Sequence, residues 1–325
     1  MKVPTTYVVG AGGIGCTVGY GLLASQRTVT FVDVDADKLD WGNKFGVGVL
    51  QGENWPRLRA QFIHFNNWKP QNDDTVFLCV KCFDNCAVLA KVGEDVELVP
   101  VQNGYDPQLE SRRHVYEGIA SFVARCEPGQ TEAQITRAGV FHFGSRTGFA
   151  ANYGKILWPV QGLPTKHVED IRPIKAAKLM YNAAISPLAA AAGLDNGDLL
   201  ADSLARRLFF QLLQENYRIL NAARVPLGKV GPFHPRMVAR ILRTPGLARF
   251  MAMFFVRSLR GTYCSMAGDI EQGRTELDNY TGHLLRLALG TIDAPCNRAV
   301  MEVVGAMTHA NYGVLRILAQ RFAGS

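Results

Sequence analysis

Short apolar runs alternate with segments of helical periodicity through the first half of the chain. The strand-like runs are residues 6–9, 28–32, 61–65, 75–80 and 98–101. Strands that alternate with helices in this way form a parallel sheet whose two faces are covered by the helices. Ligands bind such sheets at the carboxyl ends of the strands. We therefore expect an α/β domain with its chemistry at that edge.

The second half of the chain follows a helical pattern. Apolar residues recur about every three to four positions, the spacing of amphipathic helices, in residues 174–192, 203–223, 235–259, 279–289 and 297–322. Between the halves, residues 119–158 are rich in β-branched, aromatic and glycine residues, and residues 140–144 are expected to belong to an antiparallel extension that closes the sheet. The pattern predicts an α/β domain over residues 1–170 and an all-α domain over residues 171–325.

A glycine-rich loop connects the first predicted strand to a predicted helix at residues 16–25. Gly10, Gly12 and Gly15 occupy the glycine positions of the pattern G-x-G-x-x-G, with Gly13 and Ile14 before the last of them. The first glycine permits a tight turn, the second lets the backbone approach a pyrophosphate, and the third lets the helix pack on the strand. The helix N-terminus adds N–H groups and a partial positive charge. The loop therefore predicts a dinucleotide-binding domain of the Rossmann type.

Asp33 follows the second predicted strand, at the position where such a domain binds the adenosine ribose. A carboxylate there accepts hydrogen bonds from the ribose hydroxyls and repels the 2′-phosphate of NADP(H). Asp35 and Asp37 add negative charge to the same region. We therefore predict that the cofactor is NAD(H), with NADP(H) as the alternative.

The composition is that of a folded chain long enough for two domains, with 325 residues, of which 48% are hydrophobic and 19% charged. The first strand begins too early to leave room for a signal peptide. No apolar stretch reaches the roughly 18 residues of a membrane span. The seven cysteines, an odd number, indicate free thiols and a reducing compartment. We therefore expect a cytoplasmic protein without a membrane partner.

Two features of the sequence raise the question of a nucleic-acid or metal partner. Much of the net charge of +7 comes from arginines between residues 206 and 260. Because no basic repeat is interleaved with aromatic residues, a solvated helix face or attraction of an anionic cofactor and an acidic substrate explains this charge better than nucleic-acid binding. Cys79, Cys82 and Cys86 lie close in sequence, but strand alternation separates the first two and no fourth soft ligand is near. We expect neither nucleic acid nor a metal ion as a partner.

A polar stripe follows one face of the first helix of the second half. Lys178, Asn182 and Ser186 recur at i, i+4 and i+8, whereas the surrounding residues are apolar. A buried lysine is costly unless it is paired or functional. A protonated lysine that faces a ketone is a suitable general acid, because it donates a proton as hydride arrives and stabilises the developing alkoxide. The alternative is that Lys178 reaches past the helix to solvent.

Two further polar residues are candidates for a substrate site. Asn103 follows the strand at residues 98–101, which places it at the carboxyl edge of the sheet; a turn before Gly104 accounts for it equally well. Glu276 follows a Gly-Arg-Thr segment and precedes a helix. An acid in the first turn of a helix is also favoured by the helix dipole alone.

Taken together, the motifs resemble those of the ketopantoate reductase family, in the same order and over nearly the whole chain. They are Gly10-Ala-Gly-Gly-Ile-Gly15, Val80-Lys81, Gln102-Asn103-Gly104, Lys178-Leu-x-x-Asn182 with Pro187, Ser265-Met266 with Asp269, and Gly273-Arg-Thr-Glu-Leu-Asp278. The resemblance implies a Rossmann domain, a helical domain and an active site between them. It also implies a reductase that uses a nicotinamide cofactor.

The resemblance implies roles for individual residues. Lys178 would be the general acid, and Glu276 would bind a hydroxyl group of the substrate or orient Lys178. Lys81 would lie near the cofactor and the substrate cleft. The substrate would be held by Asn103, which also faces the nicotinamide end, together with Asn182 and Ser265.

Two positions depart from the family pattern. Ser186 stands where the family usually has a second asparagine, so we place it in the substrate pocket with a shorter reach. Asp33 stands where biosynthetic members, which generally use NADPH, carry a basic or neutral residue. The resemblance and Asp33 together imply a divergent member that prefers NAD(H).

The leading prediction is an oxidoreductase that transfers hydride between the cofactor and a small 2-oxo or 2-hydroxy acid, such as 2-dehydropantoate and pantoate. A second hypothesis is an NAD-dependent polyol or opine dehydrogenase, against which Ser186 counts because polyol enzymes of this plan usually have histidine there. A third is a non-catalytic NAD(H) sensor, which would not need Lys178 and Glu276 together. The expected partner is a small acidic or hydroxylated substrate, and the helices over residues 203–259 offer a surface for a homodimer.

Overall fold

The chain divides into two compact units. The computed structural model describes residues 4–51, 53–54, 56–147 and 164–323. The first unit consists of Met1–Gln102 and Asp106–Ile171, and the second of Asn103–Tyr105 and Arg172–Ser325. The short segment Asn103–Tyr105 therefore belongs with the helices of the second unit, although it lies in the first half of the sequence.

All strands of the described residues lie in the first unit. They are β1 (Thr6–Val9), β2 (Val29–Asp33), β3 (Gly48–Gln51), β4 (Glu53–Asn54), β5 (Gln61–His64), β6 (Thr75–Leu78), β7 (Glu97–Pro100), β8 (Tyr116–Ala120), β9 (Val123–Cys126), β10 (Glu132–Arg137), β11 (Phe141–Ser145) and β12 (Thr165–Asp170). The helices of the same unit are α1 (Gly13–Ala24), α2 (Ala36–Phe45), α3 (Asn85–Leu89) and α4 (Pro107–Ser111).

Five strands form the predicted parallel sheet, in the order β5-β2-β1-β6-β7. The central strand β1 is buried along its whole length, as expected of a strand covered on both faces. Its register places Val9 beside Val32 on one side and beside Leu78 on the other. The strand ends that follow, with the glycine loop and Asp33, therefore lie at one edge of the sheet. This arrangement confirms the predicted α/β fold.

The other strands form two further sheets, in the orders β4-β3-β10-β9 and β12-β11-β8. The predicted antiparallel pairing is confirmed between β11 and β8, but these strands do not add to the five-stranded sheet. Phe141 and Phe143 of β11 pack into the same core as Val8 and Phe77 of the main sheet, so separate sheets share one apolar interior. The end of the β-rich region expected at residues 119–158 lies outside the described residues.

The second unit is helical, as predicted. Its helices are α5 (Arg172–Ala192), α6 (Asn196–Ala201), α7 (Ser203–Ala222), α8 (Pro235–Leu242), α9 (Pro245–Leu259), α10 (His283–Ala288), α11 (Pro295–Gly305) and α12 (Val314–Ala323). The continuous helix expected at residues 235–259 is wrong, because Pro245 begins a new helix and supplies no N–H to continue the previous one. The stretch at residues 297–322 is likewise two helices, α11 and α12.

Helix α5 lies at the centre of this unit and carries the predicted polar stripe. Leu179, Ala183 and Leu188 are completely buried in the core of the unit. Pro187 lies inside the helix, where its missing N–H removes one backbone hydrogen bond. None of the helices that the structure describes is long and apolar enough to cross a membrane.

Candidate active site

The glycine loop has the geometry that a dinucleotide requires. Gly10 has a φ of +97°, and a Cβ there would lie 2.9 Å from the backbone nitrogen of Val80. A Cβ on Gly15 would lie 1.8 Å from the carbonyl oxygen of Gly10, so the start of α1 rests directly on the turn. A Cβ on Gly12 would meet nothing within 4 Å, which leaves open space beside the backbone at the position where a pyrophosphate approaches.

The first turn of α1 adds an electrostatic contribution to this loop. The helix begins at Gly13, and Ile14 is half-buried in its first turn. The first N–H groups of a helix have no acceptor within it, and the helix dipole places partial positive charge there. A Cβ on Gly13 would lie 2.3 Å from the carbonyl oxygen of Ala124, so β9 holds the helix start in place. The loop and the helix start together fit a dinucleotide.

Asp33 lies at the end of β2 and contacts the glycine loop directly. Its Oδ2 accepts a hydrogen bond from the backbone N–H of Ala11 at 2.6 Å. Its Oδ1 accepts from the N–H groups of Val34 and Asp35 at 2.8 Å and 3.1 Å. Three N–H donors therefore hold the carboxylate at the loop. Because a carboxylate offers about four acceptor positions, it can still accept a ribose hydroxyl.

The segment after β6 carries Lys81 and the three cysteines that lie close together in the sequence, Cys79, Cys82 and Cys86. Lys81 is half-buried at the start of a 3₁₀-helix, and its Nζ lies 5.9 Å from the centroid of the Phe83 ring. Burial raises the pKa of the Cys79 thiol, which makes that thiol a poor metal ligand. Within the part of the chain that the structure describes, no three His, Cys, Asp or Glu side chains lie close enough together to hold a metal ion.

A buried amide network supports the loop that carries Asn103. The Asn85 amide donates to Gln102 Oε1 at 3.0 Å and to Asp106 Oδ2 at 2.6 Å, and Gln102 Nε2 donates to the carbonyl oxygen of Val80 at 2.7 Å. One side chain therefore fixes the residues on either side of the segment Asn103–Tyr105. The sequence analysis missed this network, because no periodicity distinguishes a buried Asn85 from an exposed one.

The polar stripe of α5 extends one turn further than predicted. Lys178 and Asn182 are half-buried, whereas Ser186 is buried. Lys175, which the sequence analysis missed, is also buried, and its Nζ lies 4.5 Å from the centroid of the Tyr105 ring, within range of a cation–π contact. The signal that would have found Lys175 is its position three residues before Lys178, which places it on the same face of the helix.

Tyr105 links the segment after Gly104 to the helical unit. Its ring stacks on the His283 ring, with the centroids 4.1 Å apart, and its backbone N–H donates to the carbonyl oxygen of Asn279 at 3.0 Å. Burial, aided by the nearby charges of Arg286 and Lys175, lowers the pKa of His283 to about 4. His283 is therefore neutral near pH 7, where it cannot serve as a protonated acid.

Glu276 and Ser265 are brought together by Tyr280. Glu276 is buried, and its Oε2 accepts a hydrogen bond from the Tyr280 hydroxyl at 3.2 Å. The Ser265 Oγ lies 3.0 Å from the same hydroxyl. The Thr275 hydroxyl oxygen accepts from the N–H of Leu277 at 3.4 Å. The Glu276 carboxylate therefore takes part in a side-chain network, which the helix dipole alone does not account for.

Comparison with known families decides the identity of this fold. The family model described as "Ketopantoate reductase PanE/ApbA" matches residues 6–148, and the model described as "Ketopantoate reductase PanE/ApbA C terminal" matches residues 170–308. The chain belongs to the ketopantoate reductase family. It is therefore an NAD(P)-dependent oxidoreductase of the 2-dehydropantoate 2-reductase type, which confirms the leading prediction over the polyol dehydrogenase and the sensor.

One curated relative and two solved structures are similar to this chain. The 2-dehydropantoate 2-reductase of Pyrococcus horikoshii is 26% identical over 318 residues, which cover 94% of this chain and 97% of that protein. A D-mandelate dehydrogenase solved with NADH and anilino(oxo)acetate is 17% identical, with a TM-score of 0.72 over 97% of this chain and 99% of its own. A dimeric ketopantoate reductase from Staphylococcus aureus is 17% identical, with a TM-score of 0.65 over 98% and 99% of the two chains. The two solved structures share the fold.

Proposed function

We propose that this member of the ketopantoate reductase family reduces a small 2-oxo acid with NADH, or oxidises the corresponding 2-hydroxy acid with NAD. The observation that carries the choice of cofactor is Asp33, whose carboxylate is held at the glycine loop by Ala11, Val34 and Asp35. The 2′-phosphate of NADPH would bring negative charge to this carboxylate, whereas the ribose hydroxyls of NADH offer it hydrogen bonds.

The helical unit supplies the groups that act on the substrate. When bound, the nicotinamide supplies or accepts the hydride. Lys178 donates a proton to the carbonyl oxygen in the reductive direction and stabilises its developing charge. Glu276 accepts a hydrogen bond from a hydroxyl group of the substrate.

The remaining candidates position the reactants. Asn103, Asn182 and Ser265 donate or accept hydrogen bonds at the polar ends of the substrate, and we assign Ser186, which is buried on α5, to the same substrate site. Lys81, just beyond β6, attracts the anionic groups of cofactor and substrate.

We expect a higher kcat/KM with NADH than with NADPH by about tenfold or more. That factor is about 1.4 kcal/mol, well below the roughly 4 kcal/mol that two like charges exert at 4 Å in an effective dielectric of 20. Nicotinamide absorbance is followed with 2-dehydropantoate and a panel of 2-oxo acids, using both cofactors in parallel. Replacement Asp33→Asn should bring the two values together, because it removes the charge and leaves one oxygen to accept the Ala11 N–H.

Asp40→Asn is the matched control for this test. Asp40 is an exposed acid on α2, so the same charge change there should leave the cofactor ratio as it is in the parent protein. Equal or faster turnover with NADPH in the parent would contradict the proposed preference. Turnover of no 2-oxo acid with either cofactor would contradict the proposed substrate class.

We also propose that the protein is a homodimer in which a second copy covers one face of α9. Leu247, Phe250, Met253 and Phe254 share this face and are 44% to 64% exposed. Four neighbouring large apolar side chains at a surface indicate an interaction site. The fold relative from Staphylococcus aureus is described as dimeric, which favours a second copy as the occupant.

Sedimentation velocity tests this proposal. The parent protein should sediment as a dimer, and Phe254→Asp should shift it to a monomer because the charge would be buried without a partner. Leu289 is 85% exposed outside this face, so Leu289→Asp should leave the dimer intact. A parent protein that is monomeric at every concentration, or a Phe254→Asp variant that remains dimeric, would argue against the α9 interface.

A further inference from the structure

Tyr280 joins two candidate substrate-binding side chains that lie far apart in the sequence. Its side chain is completely buried, and its hydroxyl is within hydrogen-bond distance of both Ser265 Oγ, at 3.0 Å, and Glu276 Oε2, at 3.2 Å. A buried tyrosine hydroxyl requires hydrogen-bond partners, and here both are side chains to which the proposed function assigns substrate contacts.

The local backbone explains how Tyr280 reaches both groups. Residues Asp278–Gly282 form one π-helical turn immediately before α10. The N–H groups of Asn279 and Tyr280 both donate to the carbonyl oxygen of Glu276, at 3.0 Å and 3.1 Å. Single π-helical turns occur frequently at functional sites. This turn places the Tyr280 side chain back over Glu276, one turn earlier, and against the segment that carries Ser265.

The hydrogen bonds impose a direction on this chain of groups. An ionised carboxylate only accepts, so the Tyr280 hydroxyl donates to Glu276. The Tyr280 oxygen can then accept from the Ser265 hydroxyl. Hydrogen bonds linked in this way polarise and strengthen one another in a buried setting. The orientation of the Glu276 carboxylate therefore depends on the hydroxyl group of Tyr280.

We propose that Tyr280 is a positioning residue that fixes Glu276 and Ser265 as a subsite for a substrate hydroxyl group. The inference rests on the proposed function and deepens it: among small 2-oxo acids, the enzyme selects those that carry a hydroxyl group on the second carbon beyond the oxo carbon. With Tyr280 in place, Glu276 has one preferred orientation toward such a hydroxyl. Without the tyrosine hydroxyl, the carboxylate loses this restraint.

Two substrates that differ only in that hydroxyl test the proposal. They are 2-dehydropantoate and 3,3-dimethyl-2-oxobutanoate, which lacks the hydroxyl group. In Tyr280→Phe, which keeps the ring and removes one oxygen, kcat/KM with NADH should fall about 10- to 100-fold for 2-dehydropantoate, the usual effect of a hydrogen bond to a charged group. For 3,3-dimethyl-2-oxobutanoate it should stay within about twofold of the parent value, because that substrate makes no use of the subsite.

Tyr312→Phe is the matched control. Tyr312 also donates its hydroxyl to a carboxylate, that of Asp202 at 2.8 Å, but at an exposed position, so both substrates should react as in the parent. An equal loss for both substrates in Tyr280→Phe would show a merely structural role and overturn the proposal, as would no loss for either. A parent enzyme that reduces both acids equally well, or that reduces only 2-oxo acids without a hydroxyl group, overturns the subsite and leaves the proposed function standing. Turnover of no 2-oxo acid with either cofactor overturns both.

Discussion

Lys178→Met is expected to lower kcat for 2-oxo acid reduction by about 10²- to 10⁴-fold, the usual contribution of a positioned proton donor. Methionine has nearly the length of lysine but carries neither a charge nor an acidic proton to donate. The carbonyl oxygen that gains negative charge as hydride arrives then has no acid to protonate it. Steady-state turnover with NADH measures the loss. A fluorescence titration should show unchanged NADH affinity, because the glycine loop and Asp33 are untouched.

Lys178→Arg separates proton donation from charge. Arginine keeps the positive charge, but its guanidinium group does not release a proton near neutral pH. If Lys178 acts as an acid, this variant should be nearly as slow as Lys178→Met. Lys229→Met, an exposed lysine of the same unit, should keep the kcat of the parent. A Lys178→Met variant that turns over within about fivefold of the parent would rule out the acid role, since acid catalysis contributes at least about 10²-fold.

The sheet of the first unit was predictable because local patterns determine it. The buried strands appear as short apolar runs between turn residues, and the glycine loop has a spacing that few other structures require. The helix boundaries were less predictable. The apolar pattern of α8 continues into α9, so periodicity alone missed the break at Pro245. Two apolar faces in succession give the same pattern whether or not the backbone bends between them.

The candidate site was predictable only where its residues share one element. Lys178, Asn182 and Ser186 lie on one helix, so their spacing revealed a common face. Tyr105 and Tyr280 were not predictable, because each acts through a contact with a segment distant in sequence: Tyr105 stacks on His283, and the Tyr280 hydroxyl reaches Ser265. Aromatic residues in apolar surroundings are ordinary core residues by composition. Only the folded chain shows which of them carry polar contacts.

The same reasoning applies to Glu215, a completely buried acid that the sequence does not distinguish from an exposed one. Its carboxylate accepts from the backbone N–H groups of Cys296 and Asn297, at 3.0 Å and 2.8 Å, and from the Asn297 amide at 2.8 Å. Cys296 and Asn297 lie in the first turn of α11, where N–H groups lack helical acceptors. Burial and the Glu215 carboxylate also raise the pKa of Cys296 to about 12, so the adjacent thiol stays uncharged.

The network continues from α11 to α5, the helix of the proposed proton donor. The Asn297 amide also donates to Asn216 Oδ1 at 2.8 Å, and the Asn216 amide donates to the carbonyl oxygen of Met180 at 3.0 Å. Met180 lies on α5 between Lys178 and Asn182. Glu215 therefore closes the start of α11 and, through Asn297 and Asn216, supports the helix on which the proposed proton donor lies.

Glu215→Leu is expected to destabilise the helical unit by about 3–5 kcal/mol, because several buried N–H donors lose their acceptor at about 1–3 kcal/mol each. Leucine has a similar volume but accepts no hydrogen bond, so the donors at the start of α11 lose their acceptor. Hydrogen exchange at the Cys296 and Asn297 amides measures the local effect, and the unfolding midpoint measures the global one. Glu215→Gln should cost less, because one oxygen remains to accept.

Glu302→Leu is the matched control, since Glu302 lies on the same helix but is exposed, where it pairs with Arg321 at 3.9 Å. An exposed pair of this kind is worth about 0–1 kcal/mol, so the unfolding midpoint should hardly move. If Glu215→Leu unfolds at the midpoint of the parent with the α11 amides still protected, those N–H groups have another acceptor and the carboxylate is not their cap. If instead protection is lost and kcat falls with it, the support of α5 by this network is part of how the chain holds Lys178 in place.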